Sequence, residues 1–137
     1  MRLRQLWLTD FRSFTSAELA PPPGITALIG ANGAGKTNLL EAVAYLGSLS
    51  SFRGAPGEAL VRIGADHAVV RAEIDAGVPG RSSMATVEAE LHRSARDRVL
   101  VNRQPLRRTS DLLGIVQVTV FSPDDLAVVK GLSLIHI

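Results

Sequence analysis

The chain has 137 residues, enough to bury a hydrophobic core in one lobe but short for an enzyme that binds a nucleotide and couples its hydrolysis to another task. Its composition, 46% hydrophobic and 20% charged without an apolar run of about 20 residues, predicts a soluble globular protein and excludes a membrane-spanning one. The lack of cysteine excludes disulfides and thiolate metal sites and is expected of a cytoplasmic protein, while the net charge of +2 rests on basic residues that are almost all arginine.

The start of the chain predicts two short strands, a break and a buried strand. Apolar residues nearly alternate over residues 2–8, which predicts a strand running into an aromatic–arginine segment at 10–14, and a second short strand covers 17–19. The segment PPPG at 21–24 then stops regular structure, because proline lacks a backbone donor and restricts the residue before it. The continuous apolar run at 25–29 is typical of a strand buried on both faces.

Residues 30–37, GANGAGKT, match the phosphate-binding pattern G-x-x-x-x-G-K-[ST] at every fixed position. We call this segment the phosphate loop. Its glycines permit the dihedral angles that turn backbone N–H groups toward a β-phosphate, and the free N–H groups of the following helix add partial positive charge. In this chemistry Lys36 reaches the β- and γ-phosphates and the Thr37 hydroxyl binds Mg²⁺. The sequence therefore predicts a nucleotide-binding site.

After the phosphate loop the pattern changes to a helix and then to strands. Leu39, Val43 and Leu46 recur at helical spacing, so a helix of about three turns is expected from Lys36 to a stop at Gly47. The other predicted elements are a loop at 48–57, strands at 68–74, 84–91, 99–101 and 115–121, a helical turn at 109–113 and a helix start at 122–125. Together they predict an α/β fold, a P-loop NTPase lobe of mixed sheet and helices.

The phosphate loop alone does not select the use of the nucleotide, since kinases, GTPases and mechanochemical ATPases all contain one. A kinase or GTPase of the usual layout follows the first helix with a parallel strand, whereas residues 67–101 predict an antiparallel meander. A kinase is further disfavoured because neither a lid nor acceptor-site arginines can be identified. A mechanochemical ATPase and a non-catalytic nucleotide-binding remnant remain.

Four segments of the chain together resemble the RecF family of bacterial DNA replication and repair ATPases, which are related to SMC proteins and ABC-type ATPases. The segments are LRQLWLTDFRSF at 3–14, PPPGITALIGANGAGKTNLLEAV at 21–43, SFRG at 51–54 and VFSPDDLAVVKG at 120–131. The aromatic–arginine entry, the asparagine after Lys-Thr and the Phe-Ser-Pro-acid-acid stretch are together far more specific than the phosphate loop. The resemblance covers residues 2–131, which correspond to roughly the first third of the family's length.

The resemblance implies an ABC/SMC-type ATP-binding lobe, here incomplete, in a protein that binds ATP and Mg²⁺ and forms an ATP-dependent homodimer on DNA. It further implies binding of duplex and gapped or single-stranded DNA in replication, recombinational repair and the SOS response, with mediator proteins of the RecO/RecR type. An SMC-like ATPase of another kind is the alternative. The family's Walker-B strand, catalytic glutamate and signature motif lie beyond the matching residues, so slow DNA-dependent ATP hydrolysis is expected of the parent protein and not of this chain.

The resemblance also implies roles for individual residues. Arg12 matches an arginine that approaches the nucleotide phosphates in relatives, although a surface charge at a strand end is the alternative. The expected ATP contacts are Arg12, Gly30, Ala31, Asn32, Gly33, Ala34, Gly35, Lys36, Thr37 and Asn38. Arg53 lies where SMC proteins place an arginine that links DNA to hydrolysis, although a solvated loop charge explains it equally well. Gln117 matches the ABC-type glutamine that contacts Mg²⁺ and the attacking water, but an ordinary polar strand position is the favoured interpretation.

The densest basic segment is the candidate DNA-binding surface. It contains Arg93, Arg96, Arg98, Arg103, Arg107 and Arg108. Arginines on a hairpin suit sequence-independent contact with DNA phosphates, and a solvated hairpin face is the alternative. Beyond Gly131 the tail LSLIHI departs from the family pattern, which predicts a partial ATP-binding lobe at 1–131 and a non-native tail at 132–137.

Overall fold

Six strands with the helices that pack on them form the fold in this computed structural model, which describes residues 1–31, 33–77, 79–80 and 83–122. The strands make one antiparallel sheet in the order β2-β1-β3-β4-β5-β6. In chain order the elements are β1 (Arg2–Phe11), β2 (Phe14–Leu19), α1 (Lys36–Ser48), α2 (Gly57–Leu60), β3 (His67–Asp75), β4 (Met84–His92), β5 (Arg98–Val101), β6 (Gln104–Pro105) and a 3₁₀ helix (Thr109–Gly114).

The sheet has one buried face and one solvated face, as alternating side chains require. Leu6, Ala72 and Val87 lie directly opposite one another across β1, β3 and β4, and all three are fully buried. They form a hydrophobic core with the apolar residues of α1. On the solvated face Trp7 lies opposite Arg71, whose guanidinium carbon is 5.0 Å from the indole centroid.

The antiparallel meander predicted from period-two alternation is confirmed. Its three predicted strands correspond to β3, β4 and β5, each with ends that differ by one residue or less. The first strand is longer than predicted and reaches Phe11, and the second begins at Phe14, so Arg12 and Ser13 of the aromatic–arginine segment form the tight turn between them. Two elements were not predicted, because the four residues of α2 and the two of β6 are too short for a periodic signal.

The first helix begins at Lys36 as predicted but ends one residue later than expected, at Ser48. Gly47 is not the stop. Leu49 adopts the left-handed conformation, with φ 55°, and donates its backbone N–H to the Tyr45 carbonyl at 2.6 Å. Gly47 instead allows close packing, since a Cβ atom there would lie 2.9 Å from two side-chain atoms of Val118.

Two predicted strands are wrong. Residues 25–29 have no regular secondary structure, and both Ile25 and Ile29 are almost completely exposed. Residues 115–121 likewise form no strand, although Val116 is buried and Val118 packs against α1. An apolar run indicates that a segment tends to be buried, but a strand also needs a neighbour to satisfy its backbone hydrogen bonds, and none of the described strands pairs with either segment.

The helical turn predicted at 109–113 is present as the 3₁₀ helix. The predicted helix start at 122–125 falls largely outside the described residues, and the tail at 132–137 falls wholly outside them. In the part of the chain that the structure describes, no helix combines the length and the apolar character needed to cross a membrane.

Candidate nucleotide-binding site

The phosphate loop leads directly into α1 through glycines that no other residue could replace without strain. Gly33 and Gly35 have φ values of 86° and 93°, in the left-handed region that favours glycine. At Gly35 the space is also restricted, because a Cβ atom would lie 2.8 Å from Phe14 Cζ and 3.2 Å from Ser13 Oγ. The turn between β1 and β2 therefore packs closely against the end of the phosphate loop.

The first turn of α1 leaves its backbone N–H groups available. Gly35 precedes the helix without a side-chain capping hydrogen bond, and the first turn contains no acidic residue. In most helices a serine, threonine or carboxylate side chain would satisfy these donors. An uncapped N-terminus with its partial positive charge is a suitable place for an anion.

The Lys36 side chain folds back over the phosphate loop. Its ammonium group donates to the Gly30 carbonyl and, at 3.3 Å, to the Ala31 carbonyl. The loop also contains a turn in which the Ala34 N–H donates to the Ala31 carbonyl at 3.1 Å. The ammonium is thus held at the loop by neutral carbonyl groups and not by a carboxylate, which leaves its positive charge uncompensated locally.

A shallow cavity of about 240 Å³ opens at this point, lined by Gly33, Gly35, Lys36, Thr37, Asn38 and Arg53. Its lining contains two cations, a hydroxyl, an amide and no carboxylate. These groups fit a polyphosphate: the cations and backbone donors suit its oxygens, and the exposed Thr37 hydroxyl is a suitable ligand for the accompanying Mg²⁺.

Behind the cavity lies Glu41, the only charged residue among those described whose exposure falls to 0%. Arg12 Nε donates to Glu41 Oε1 at 2.7 Å, and Arg12 Nη2 donates to Glu41 Oε2 at 3.0 Å, so the pair is bidentate. Arg12 belongs to the β1–β2 turn, where its φ is 52° and its backbone N–H donates to the Leu60 carbonyl at 2.8 Å.

The same carboxylate holds the loop that follows α1. Ser51 Oγ donates to Glu41 Oε2 at 2.6 Å and accepts the Arg53 backbone N–H at 3.1 Å. The Arg53 guanidinium donates through Nη1 to Asn38 Oδ1 at 3.1 Å and lies 3.9 Å from Glu41 Oε1. Asn38 in turn donates through Nδ2 to Ser13 Oγ at 3.0 Å. Three separate chain segments therefore meet at one buried acid.

Burial alone would raise the pKa of Glu41, since it disfavours the charged form. The hydrogen bonds from Arg12 and Ser51, followed by the positive charges of Arg12 and Arg53, act in the opposite direction and prevail. The pKa of Glu41 is consequently lowered from its ordinary value, and the group is a carboxylate at neutral pH.

The structure brings together several of the residues that the sequence assigned to ATP. Gly33, Gly35, Lys36, Thr37 and Asn38 line one cavity, and Arg53, to which the sequence gave a separate role, lines it too. Gly30, Ala31 and Ala34 are not in the lining, Asn32 is outside the described residues, and Arg12 is bound to Glu41, so its contact with ATP stays a prediction. Gln117 is exposed and its backbone N–H donates to Met1 Sδ at 3.2 Å. Its contact with Mg²⁺ stays a prediction. Sequence reasoning missed Glu41; an acid inside the apolar sequence LLEAVAYL was the available signal.

The six arginines of the candidate DNA-binding segment lie in different environments. Arg93 donates three hydrogen bonds to the carbonyls of Val61, Arg62 and Ala65 and so fixes the loop before β3. Arg98 forms a bidentate pair with Glu90 at 2.9 and 3.1 Å. All six are exposed, but the other four form no ion pair with a described residue: Arg96, Arg103, Arg107 and Arg108.

Comparison with known proteins agrees with this geometry. The family model described as RecF/RecN/SMC N terminal domain matches residues 2–127. The chain is 52% identical over 131 residues to the DNA replication and repair protein RecF of Nocardioides sp., covering 96% of this chain and 30% of that protein. It therefore spans about a third of the length of such relatives.

Solved structures share the fold. The recombination mediator protein RecF with ATP, from the RecFOR pathway, superposes with a TM-score of 0.81 at 26% identity, covering 93% of this chain and 34% of the other. An SMC ATPase structure, from work on ATP-driven dimerization and DNA-stimulated activation, gives a TM-score of 0.79 at 23% identity, covering 93% of this chain and 90% of the other. These likenesses confirm the predicted fold class, an incomplete P-loop ATPase lobe of the SMC type.

Proposed function

This chain belongs to the RecF/RecN/SMC N-terminal domain family, and on that premise we propose that it is the ATP-binding part of a DNA-repair ATPase of the RecF kind. The observation that carries the proposal is the uncapped start of α1, which faces a cavity lined by Lys36, Thr37 and Arg53 and by no carboxylate. Phosphate groups are the ligands that such a set of donors binds best.

Each residue of the site has a part in holding Mg²⁺·ATP. The N–H groups of the phosphate loop and the Lys36 ammonium bind the β- and γ-phosphates, and the Thr37 hydroxyl is a ligand of Mg²⁺. Binding requires the ammonium to exchange the Gly30 and Ala31 carbonyls for phosphate oxygens, a favourable exchange of neutral acceptors for charged ones. Arg53 adds a second cation at the same cavity.

The activity of the longer protein follows as part of the same proposal. It is a slow DNA-dependent ATPase that forms an ATP-dependent homodimer on duplex and gapped DNA, acts in replication, recombinational repair and the SOS response with RecO/RecR-type partners, and works in the cytoplasm. The identity of 52% to a RecF protein favours this over an SMC-like ATPase of another kind. The antiparallel meander after α1 counts against a P-loop kinase.

We assign DNA contact to Arg96, Arg103, Arg107 and Arg108, which form no ion pair with a described residue. Arg96 and Arg107 line one cavity together with Tyr45, near the C-terminal end of α1. Arg103 lines another cavity, on the solvated face of the sheet. Neutralising phosphates with such cations makes affinity fall steeply with salt. Replacing Arg96 and Arg107 by alanine should weaken binding of a random-sequence duplex and reduce the salt slope by about 1–2, as measured by fluorescence anisotropy. Unchanged affinity and slope would remove these two arginines from the DNA surface.

Nucleotide binding by the chain itself tests the central claim. Titration of a fluorescent ATP analogue in the presence of Mg²⁺ should show saturable binding that Lys36→Ala weakens at least about tenfold, the loss of roughly 1.4 kcal/mol. Lys130→Ala, at the chain's other lysine, is the matched control and should leave binding unchanged. Equal affinities for the protein and its Lys36→Ala variant would refute the proposal.

A further inference from the structure

The buried carboxylate behind the phosphate cavity has a function that neither the phosphate-loop motif nor the fold assigns to it. We propose that Glu41 is a positioning residue that fixes Arg53 at the cavity and thereby lets the chain distinguish ATP from ADP. The inference rests on the proposed nucleotide site and adds to it the residue that sets its specificity for the γ-phosphate.

The first support is that Glu41 fixes both ends of Arg53. The Ser51 hydroxyl connects Glu41 to the Arg53 backbone, because it donates to Glu41 Oε2 at 2.6 Å and accepts the Arg53 N–H at 3.1 Å. An ion pair connects Glu41 to the Arg53 side chain, because Arg53 Nη1 lies 3.9 Å from Glu41 Oε1. A long side chain in an exposed loop ordinarily samples many rotamers, and these contacts restrict that freedom.

The second support is the direction in which the guanidinium points. Its hydrogen bond to Asn38 Oδ1, at 3.1 Å, draws Arg53 onto the first turn of α1, one residue after the proposed Mg²⁺ ligand Thr37. Asn38 is itself fixed by its bond to Ser13 Oγ at 3.0 Å. The result is a cation in the lining of the same cavity as Lys36 and Thr37, where the additional charge of a γ-phosphate would favour pairing with it.

The third support is the balance of charge. Arg12 already compensates Glu41 with two hydrogen bonds of 2.7 and 3.0 Å, so the cluster of Arg12, Glu41 and Arg53 carries one surplus positive charge. The surplus is the charge of Arg53, whose side chain is 43% exposed. At 3.9 Å its pairing with Glu41 is weaker than a direct hydrogen bond, so an incoming phosphate oxygen can pair with the guanidinium while Ser51 keeps the Arg53 backbone attached to Glu41. ADP lacks the phosphate that would do so.

Nucleotide titrations of variants test the proposal. Glu41→Gln keeps the shape of the side chain but removes its charge, and it should weaken ATP binding about tenfold while ADP binding stays within about twofold, a differential near 1.4 kcal/mol. Arg53→Ala should show the same selective loss, and the double variant should be no weaker than Arg53→Ala alone, because the two residues act in series. Glu90→Gln breaks a comparable carboxylate–arginine pair with Arg98 on the solvated face and should change neither affinity.

The outcomes separate this inference from the function it rests on. If the unaltered chain binds neither nucleotide, or binds both without needing Lys36, the proposed function fails and the inference fails with it. If binding depends on Lys36 but Glu41→Gln lowers both affinities equally, or raises that for ATP, Glu41 is merely structural and only the inference is overturned. Should Glu41→Gln fail to fold, Ser51→Ala cuts the backbone link while keeping the buried pair, and the same ATP-selective loss is required of it.

Discussion

Replacing Gly35 by alanine should destabilise the chain through two separable effects. The backbone there has φ 93°, and an L-residue in the left-handed region costs about 1–2 kcal/mol. The new Cβ would also lie 2.8 Å from Phe14 Cζ, so the half-buried ring must move, which adds about 1–3 kcal/mol. The sum is about 2–5 kcal/mol, a large part of the stability of a small domain.

Gly33→Ala isolates the first effect. Gly33 lies in the same loop with φ 86°, but nothing comes within 4 Å of the position of its Cβ. Only the backbone cost of about 1–2 kcal/mol applies. The clash with the ring should also disappear when Gly35→Ala is combined with Phe14→Leu and compared with Phe14→Leu alone, because the leucine side chain has no ring to meet the new methyl group.

Urea denaturation followed by the fluorescence of Trp7, the single tryptophan, measures the stability of these variants and of the unaltered chain. Trp7 lies on the solvated face of the sheet, so its fluorescence should change on unfolding and not through direct contact with the substituted residues. If Gly35→Ala and Gly33→Ala are destabilised equally, within about 0.5 kcal/mol, the contact between Phe14 and the phosphate loop does not constrain Gly35 and the reasoning is wrong.

Three further predictions concern stability. Because the pKa of Glu41 is lowered in the folded chain, its stabilising effect is complete above the ordinary glutamate pKa and is lost as the pH falls through the lowered value. Glu41→Gln should therefore flatten the pH dependence of the melting temperature below about pH 4.5. An unchanged pH dependence in this acid range would contradict the prediction. Gly47→Ala gains about 1 kcal/mol of helix propensity, yet the contact of 2.9 Å with Val118 should make it net destabilising in urea unless Val118→Ala is also present. Arg93→Ala removes three hydrogen bonds to loop carbonyls and should lower the free energy of unfolding, measured in urea, by about 1–3 kcal/mol. Arg96→Ala should change it by less than about 0.5 kcal/mol. Equal effects would show that Arg93 does not stabilise the loop before β3.

The sequence predicted those parts of the fold whose signals are local. The phosphate loop, the start of α1 and the strands β3 to β5 follow from motif spacing and periodicity, and all are where they were expected. Residues 25–29 and 115–121 were assigned to strands on hydrophobicity alone, which indicates a tendency toward burial but says nothing of a pairing partner.

The candidate site was predicted less completely than the fold. The spacing of the phosphate loop identified four of the six residues that line the cavity. Glu41 is 29 residues from Arg12 and 10 from Ser51, and no local pattern connects them. Helical periodicity emphasises the apolar residues around Glu41 and gives no information on an acid among them. The arginines from 93 to 108 were grouped by sequence proximity, whereas Arg93 and Arg98 are engaged by loop carbonyls and by Glu90.

The left-handed backbone of Arg12, with φ 52°, shows a compromise between folding and chemistry at the turn that joins β1 and β2. A glycine would adopt this conformation about 1–2 kcal/mol more easily. It would also remove both Arg12 hydrogen bonds from the buried Glu41 carboxylate and leave it only the Ser51 hydroxyl and the more distant Arg53, and breaking such a buried pair costs about 3–5 kcal/mol. An alteration that looks stabilising when the backbone is considered alone would therefore be harmful here, and computational redesign of this turn for thermostability should treat Arg12 as immutable.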